Sequence, residues 1–414
     1  MPAAEAEVLI VGAGPVGLLL ANLLGRAGIP TIVVEKRTGR GPGSRAIGVT
    51  PTSLEILTEL GLAPSFLARG VQVRRAAVHA DAGLLARLEL GEPKAAFPFI
   101  LSLPQVDTET LLSEALARCS AVHLRTGLEA VGVRDEGAFV TVRARGVAGE
   151  ESLLRGRLLC ACDGSGSPTA GYLGLRRRVR RFPVAFRMGD YADSSGLGEE
   201  AHLYFTRQGS VESFPVAGGL RRWIVQAIEG GEPEPSFEKV ELQVRARTGH
   251  SLDPRDRAWA SSFRPERSEL ERFRLGRVVF CGDAAHTMPP IGGQGMNTGF
   301  ADARLLARVL ERWLREGAEP EGLLAIYGRY RRAGFRAAAR RSRLFMGVGT
   351  LRAPGLRGLR NLLVPVLTRP PFSRALAGHF TMVNVPYSTL AGVVAKERLL
   401  RLGGEGEAHE PPRG

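Results

Sequence analysis

The chain has 414 residues, too many for one simple core, so two lobes and a tail are expected. Apolar residues make up 44% and charged residues 24%, a soluble globular composition, and no apolar run approaches the roughly 18 residues of a membrane span. The net charge of +14 is concentrated in the window from Gly322 to Lys396, which holds twelve arginines, Lys396 and no Asp or Glu.

The apolar run Val8 to Val11 reads as a buried parallel strand. It begins almost at Met1, leaving no room for a signal peptide, so a cytoplasmic location is expected. Gly12, Gly14 and Gly17 then form G-x-G-x-x-G as the chain enters a helix expected over Pro15 to Ala27. A second strand, Thr31 to Val34, ends in Glu35. Strand, glycine turn, helix and terminal acid in this register form a dinucleotide fingerprint. The first glycine makes the turn, the second admits a pyrophosphate and the third brings helix onto strand, while the acid accepts from ribose hydroxyls. Ala13, Pro15, Val16 and Lys36 belong to the same nucleotide site.

Residues 71–101 and 181–269 read as a separate lobe that interrupts the first. His202 to Phe205, the turn at Gln208-Gly209, the run through Phe214, and Arg222 to Ala227 suggest antiparallel strands. His202, Tyr204 and Phe214 are its candidate substrate contacts, although strand parity stays open and a structural role is the plainer reading of each. Cys119, Cys160, Cys162 and Cys281 lack zinc-like spacing; Cys160 and Cys162 share one face of a strand over Leu158 to Cys162 and read as small core residues. They fit a reducing compartment.

Residues 276–299, GRVVFCGDAAHTMPPIGGQGMNTG, carry the second site. An apolar strand, Val278 to Cys281, delivers Asp283 at its end, where a short carboxylate suits a ribose or ribityl hydroxyl. Pro289 and Pro290 form a turn. Gly292, Gly293 and Gly295, with Gln294, then open a helix whose first amides, near Met296 and Asn297, can donate to an anionic ligand atom. His286 reads as structural rather than as a base. The sequence shows no metal cluster and no hydrolase triad.

Toward the C-terminus, Arg329, Arg332, Arg336, Arg340 and Arg343 recur at three and four residues and line one helix face. A shorter amphipathic piece follows between Pro354 and Pro365, with Leu356, Leu359 and Leu363 flanked by Arg357 and Arg360. Three readings of this basic region stand open: an anionic membrane surface, an acidic carrier protein, or a solvated face packed on the first lobe. Nucleic acid is disfavoured, because no aromatic platform accompanies the charge. Residues 403–414 are Gly, Glu and Pro rich and read as a disordered tail.

Together these motifs resemble the class A FAD-dependent monooxygenases with the para-hydroxybenzoate hydroxylase fold, including aromatic-ring and ubiquinone-pathway hydroxylases. The resemblance covers roughly residues 5–345. It places Arg45, in the Ser44-Arg45-Ala46 turn, near the flavin diphosphate, and Gln105, before a helix at Thr108 to Arg118, against the flavin. It sets Ala130 against the adenine through its backbone, Asp283 on the ribityl chain, and Pro290 and Gly292 to Asn297 beside the isoalloxazine. Asp163, Gly164 and Ser167 match an Asp-Gly motif that serves both FAD and NAD(P)H, but Gly166 and Ala170 stand where that motif carries arginines. Arg176 to Arg178 or Arg180 are the nearby substitutes.

The fold class implied is α/β, an FAD-binding Rossmann-like domain with an inserted antiparallel-sheet substrate domain and a C-terminal helical segment. The implied domains are 1–70, 102–180 and 270–345 for FAD, 71–101 and 181–269 for substrate, a basic amphipathic helical segment over 346–402, and the tail. The implied activity transfers one oxygen atom from O2 to an aromatic or lipophilic small molecule through a flavin C4a-hydroperoxide, with NAD(P)H as reductant. The flavin carries the chemistry, so no acid or base side chain is assigned. A dehydrogenase or prenyl reductase of the same fold, with no direct NAD(P)H step, is the alternative.

Overall fold

The computed structural model describes residues 4–39, 41, 46–91, 95–228, 233–290, 292–351 and 353–383. The expectations for Arg45, for residues 384–402 and for the tail lie outside the described residues.

Five parallel strands form the centre of an eight-stranded sheet, in the order Val278–Phe280, Glu151–Ala161, Ala4–Val11, Thr31–Glu35 and Val122–Thr126. The hairpin-like strands Leu128–Asp135 and Val140–Gly146 add to Glu151–Ala161 in antiparallel fashion, and Arg274–Leu275 closes one edge. The VLIV run is apolar throughout because both faces of the sheet are covered. Val8 and Ile10 enter one core, with Leu18, Phe300 and Leu306, whereas Leu9 and Val11 enter another, with Val140, Val142 and Phe335. The strand ending near Cys162 is longer than expected and begins at Glu151, where it takes up the antiparallel pair. All four cysteines are free; Cys160, Cys162 and Cys281 are buried, and Cys119 is half-buried.

The described residues include ten α-helices. They are α1 (Pro15–Arg26), α2 (Pro51–Glu59), α3 (Ala63–Arg69), α4 (Gln105–Leu116) and α5 (Pro168–Tyr172). After them come α6 (Phe237–Thr248), α7 (Gln294–Leu314), α8 (Pro320–Gly349), α9 (Pro354–Leu367) and α10 (Phe372–Phe380). Helices α1, α4 and α7 share one face of the parallel sheet. None of the described helices is long and apolar enough to cross a membrane.

A seven-stranded sheet forms the second lobe, in the order Arg257–Phe263, Ala185–Ala192, Leu220–Ala227, Gly209–Val216, Ala201–Thr206, Arg75–Ala80 and Gly83–Glu89. Its two faces differ. On one, Val240 and Val244 of α6 pack against Tyr191, Tyr204, Val211, Trp223 and Val225. On the other, Ala377, Leu376 and Phe380 of α10 pack with Ala76, Leu88, Ala201 and Phe214. Pairing fixes the parity: His202 opposes Ser213 and Tyr204 opposes Val211 on the α6 face, while Leu203 opposes Glu212 on the α10 face.

The basic region divides between committed and exposed side chains. The arginine stripe of α8 is split, because Arg336 bonds Glu269 at 2.7 Å and Arg332 donates to the carbonyls of Leu270 and Glu271, whereas Arg340 and Arg343 are exposed. Helix α9 buries an arginine and exposes its leucines. Arg360 is buried, bonded to the carbonyl of Phe205 and stacked over its ring, while Leu356, Leu359, Leu362 and Leu363 face solvent.

Candidate flavin site

Three motifs far apart in sequence converge at the C-terminal ends of the parallel strands. A Cβ on Gly12 would fall 2.4 Å from the carbonyl oxygen of Cys162, and one on Gly299 would fall 2.5 Å from Val16 Cγ2. Gly282 is held against the same Val16, so the fingerprint, the Asp163 loop and the Asp283 turn form one surface.

At the fingerprint end, Gly17 has the tightest constraint, since a Cβ there would sit 2.0 Å from the Gly12 carbonyl oxygen. A Cβ on Gly14 would meet nothing within 4 Å. Helix α1 starts beside that open space with no side-chain cap and no acid in its first turn. Its free amides and positive end suit a phosphate. Glu35 Oε2 accepts from the amide of Ala13 at 2.8 Å, and Oε1 accepts from the amide and Nε of Arg37 at 3.0 and 2.9 Å. Burial alone would raise this carboxyl's pKa; the bonds from Arg37 and Ala13 outweigh it and hold the pKa below its ordinary value. Lys36 is exposed.

The middle motifs are internally braced. Asp163 accepts from Ser167 Oγ at 2.7 Å and from the amide of Thr169 at 2.9 Å, so it folds its own loop and the start of α5. Ala170 is buried in the core, and Gly166 borders open space. Of the substitute arginines, Arg177 turns inward and donates to the carbonyls of Asp283 (3.3 Å) and Ala284 and to Ser268 Oγ (3.0 Å). Arg176 pairs with Glu271 at the surface. The carbonyl of Ala130 accepts from Tyr172 at 3.2 Å. Gln105 is the first residue of α4 rather than preceding it, and its Nε2 donates to Glu109.

Asp283 follows the strand Val278–Phe280 in a short 3-10 turn. Solvent reaches its carboxyl, yet the protein around it is dense enough for burial to raise its pKa. The turn is fixed from below by Asp302, which accepts from the amide of Gly282 at 3.0 Å, pairs with His286 at 2.7 Å and binds Arg331 at 2.5 Å. His286 stacks on Phe335 and is structural, as its sequence context suggests. Burial opposes ionisation of Asp302, but Arg331 and His286 hold its pKa below the ordinary value.

At the other end, Gly292 and Gly293 have φ of 81° and 66°, and Gly293 is the N-cap of α7. No side chain caps α7, and its first turn holds no acid. Pro290 is exposed, and its carbonyl accepts from the Gly293 amide. Gly295 and Met296 lie half-buried in the first turn of α7. Asn297 is a clamp: Oδ1 accepts from the Thr50 amide, Thr50 Oγ1 and Ser53 Oγ, and Nδ2 donates to the carbonyls of Gly48 and Gly293. Its side chain therefore holds the frame of the loop. Gln294 is fully buried; Nε2 donates to the carbonyl of His379, and Oε1 has no partner.

The residues present fit FAD. Two uncapped helix starts suit its phosphates and the electron-rich edge of its ring, the exposed Asp283 carboxyl at the strand end suits its ribityl hydroxyls, and the buried Gln294 Oε1 has no hydrogen-bond partner within the protein. The substrate candidates divide. Phe214 faces α10, but His202 and Tyr204 face α6 in a stack with His79, which corrects the grouping of the three. Alternation along the strand sets consecutive odd and even positions apart, so 202 and 204 cannot share the face of 203. The sequence reading overlooked Asp302, Arg331 and α10. An acid inside the apolar run FADARLLARVL was the available signal for Asp302.

A family model described as "FAD binding domain" matches residues 5–342. The chain belongs to this FAD-binding family. It is a flavin-dependent monooxygenase with the mixed α/β fold of its relatives. It is 31% identical over 395 residues to rifampicin monooxygenase of Streptomyces venezuelae, covering 93% of this chain and 80% of that one. It is 34% identical to 6-methylpretetramide 4-monooxygenase of Streptomyces rimosus, covering 87% of this chain and 64% of that one. Among solved structures, p-nitrophenol 4-monooxygenase PnpA of Pseudomonas putida DLL-E4 superposes with a TM-score of 0.84 at 25% identity, covering 93% of this chain and all of that one. This monooxygenase takes FAD as its cofactor.

Proposed function

We propose that this monooxygenase inserts one oxygen atom of O2 into an aromatic, polyketide-like small molecule, with NAD(P)H as reductant. The observation that carries the reading is the position of α10. Phe380 stacks on Phe345 at 4.6 Å, packs in the cluster that includes Phe214, and would lie 3.4 Å from a Cβ on Gly292. The loop at Gly292, the sheet face and α10 thus meet in one apolar cluster, a surface suited to a flat ring and to exclusion of water.

Bound FAD would supply the redox chemistry, accepting electrons from the nicotinamide and passing them to O2. The chain's own part is positional. The α7 amides would stabilise negative charge at the ring, Asp283 and Glu35 would hold the ribityl chain and the adenosine ribose, and Phe345 and Phe380 would keep water out. The test is anaerobic rapid mixing of the reconstituted holoprotein with NADH or NADPH, with and without 1,8-dihydroxyanthraquinone. The flavin band should bleach faster with the aromatic compound, and O2 should then be consumed. A protein that stays colourless after FAD is added, or a flavin that neither nicotinamide reduces, overturns the reading; reduction by the organic substrate alone supports the dehydrogenase or prenyl reductase alternative.

A second proposal concerns where the enzyme works. Leu356, Leu359, Leu362, Leu363, Val366 and Leu367 make α9 an exposed apolar ridge, with exposed Arg369 and Arg374 following it. Such a face suits the interface of an anionic bilayer, where apolar side chains enter and arginines meet headgroups.

A further inference from the structure

Helix α10 carries an apolar stripe along its whole length. Phe372, Leu376 and Phe380 stand four residues apart, so they follow one another down one face over about 12 Å. On one side of the stripe Ser373 and Ala377 are buried, and on the other Arg374 and Ala375 are exposed. The stripe therefore marks the border between the packed face of α10 and solvent. Exposure falls along it, from 53% at Phe372 to half-buried Leu376 and Phe380.

Other elements fix both ends. At the inner end Phe380 stacks on Phe345 at 4.6 Å and would lie 3.4 Å from a Cβ on Gly292. The carbonyl of His379 accepts from Gln294 Nε2 at 2.9 Å, which ties the end of α10 to the first residue of α7. At the outer end α9 and α10 pack on each other, and Val366 and Leu367 of α9 are exposed just before Phe372 in the chain. The stripe thus joins the exposed apolar ridge of α9 to the loop at Gly292. Single exposed apolar side chains are ordinary, but a run of them over two consecutive helices marks a surface that meets something apolar.

We propose that the substrate reaches the flavin from an anionic bilayer, passing from the α9 ridge along the α10 stripe, and is an uncharged polycyclic aromatic that dissolves in lipid. This rests on the monooxygenase reading and on the bilayer face of α9, and adds to them the class of substrate and its source. The surrounding charge selects the surface. Arg369 and Arg374 are exposed beside the stripe, and no Asp or Glu occurs from Gly322 to Lys396, so anionic headgroups are the complement. The stripe selects the passenger. Three apolar side chains in a row offer no hydrogen bond to a charged molecule, whereas a flat ring keeps apolar contact at each step and avoids re-entering water.

The experiment mixes the FAD-loaded full chain with 1-hydroxypyrene carried in phosphatidylglycerol or phosphatidylcholine vesicles and follows the rate of flavin absorbance change. Phosphatidylglycerol vesicles should deliver the compound about fivefold faster at low salt, and added salt should remove the advantage. Phe372→Gln changes an exposed side chain, so the fold is spared. It should slow delivery from vesicles about fivefold and delivery from water less than about twofold, while Phe372→Leu should behave as wild type. The charged analogue 1-pyrenesulfonate should barely perturb the flavin. Equal delivery from the two kinds of vesicle, a Phe372→Gln that slows both routes alike, or a full response to 1-pyrenesulfonate overturns the proposal. So does a solution dimer that Leu363→Asp splits, since the ridge would then be a subunit interface. A chain that does not hold FAD overturns the monooxygenase reading, and one that does not sediment with vesicles overturns the bilayer face; either result takes this inference with it.

Discussion

Asp302 and His286 meet at 2.7 Å, Oδ2 to Nε2, directly beneath the turn that presents Asp283. Both are buried, and Arg331 completes the group from α8. Removing one member of such a set strands the others without solvent. Asp302→Asn should therefore cost about 3–5 kcal/mol and release FAD more readily. The pH sign follows from the lowered pKa of Asp302. Its contribution is complete above the ordinary carboxylate range and is lost as pH falls through its folded value. Urea unfolding from pH 7 to pH 3 checks this: the variant should start lower and fall less steeply.

Gly17→Ala tests the fingerprint. The added methyl would overlap the Gly12 carbonyl oxygen at 2.0 Å, and backbone cannot swing aside as a side-chain tip can. A destabilisation of about 1–3 kcal/mol is expected, with loss of the 450 nm flavin band as α1 shifts. Gly14→Ala enters open space in the protein alone, so its effect should be on FAD affinity with Tm of the FAD-free protein little changed.

The fingerprint and the Asp283 segment were legible because local rules coincide there, strand then glycine turn then helix, and each needs particular residues. Asn297 was visible as part of the loop, but its role as a clamp on Thr50 and Ser53 depends on a contact across more than two hundred residues. The substrate face was not legible. Moving a strand's register by one residue exchanges its faces, and nothing local at His202-Leu203-Tyr204 chooses between them. Helix α9 shows a similar limit. Its leucine period marks an amphipathic helix, yet the period does not say which face turns inward; Phe205 decides that by taking Arg360.

The imidazole stack behind the sheet has its own titration. His202 Nδ1 lies 3.0 Å from His79 Nε2, and burial, with His79 adding to it, lowers the His202 pKa to about 4. The unfolded chain takes up this proton near pH 6.5, while the folded chain resists until about pH 4. Stability contributed here is present above pH 6.5 and drains between those values, on the order of 1 kcal/mol per pH unit. His202→Phe keeps a ring in the stack and should flatten the acid slope of Tm in that window. An unchanged slope would place the acid sensitivity elsewhere.

The α9 ridge predicts surface binding. With vesicles containing phosphatidylglycerol, the protein should sediment at low salt and be released as salt rises, because basic residues contribute about 1 kcal/mol each near an anionic surface. Replacing Leu359 and Leu363 together by Asp should abolish sedimentation and spare FAD absorbance. No sedimentation by wild type, or capture only by an acidic protein, removes the membrane proposal.

Asn297 has a wider consequence. Five bonds from one amide side chain lock the opening turn of α7 to the segment around Thr50 during folding, before any ligand arrives. With the flavin ring at the start of α7, as proposed above, donors fixed in advance would need no rearrangement when the ring is reduced. On that proposal two-electron potential and fold integrity share a single fastener, and loosening it should shift the redox midpoint of the prosthetic group along with the melting curve.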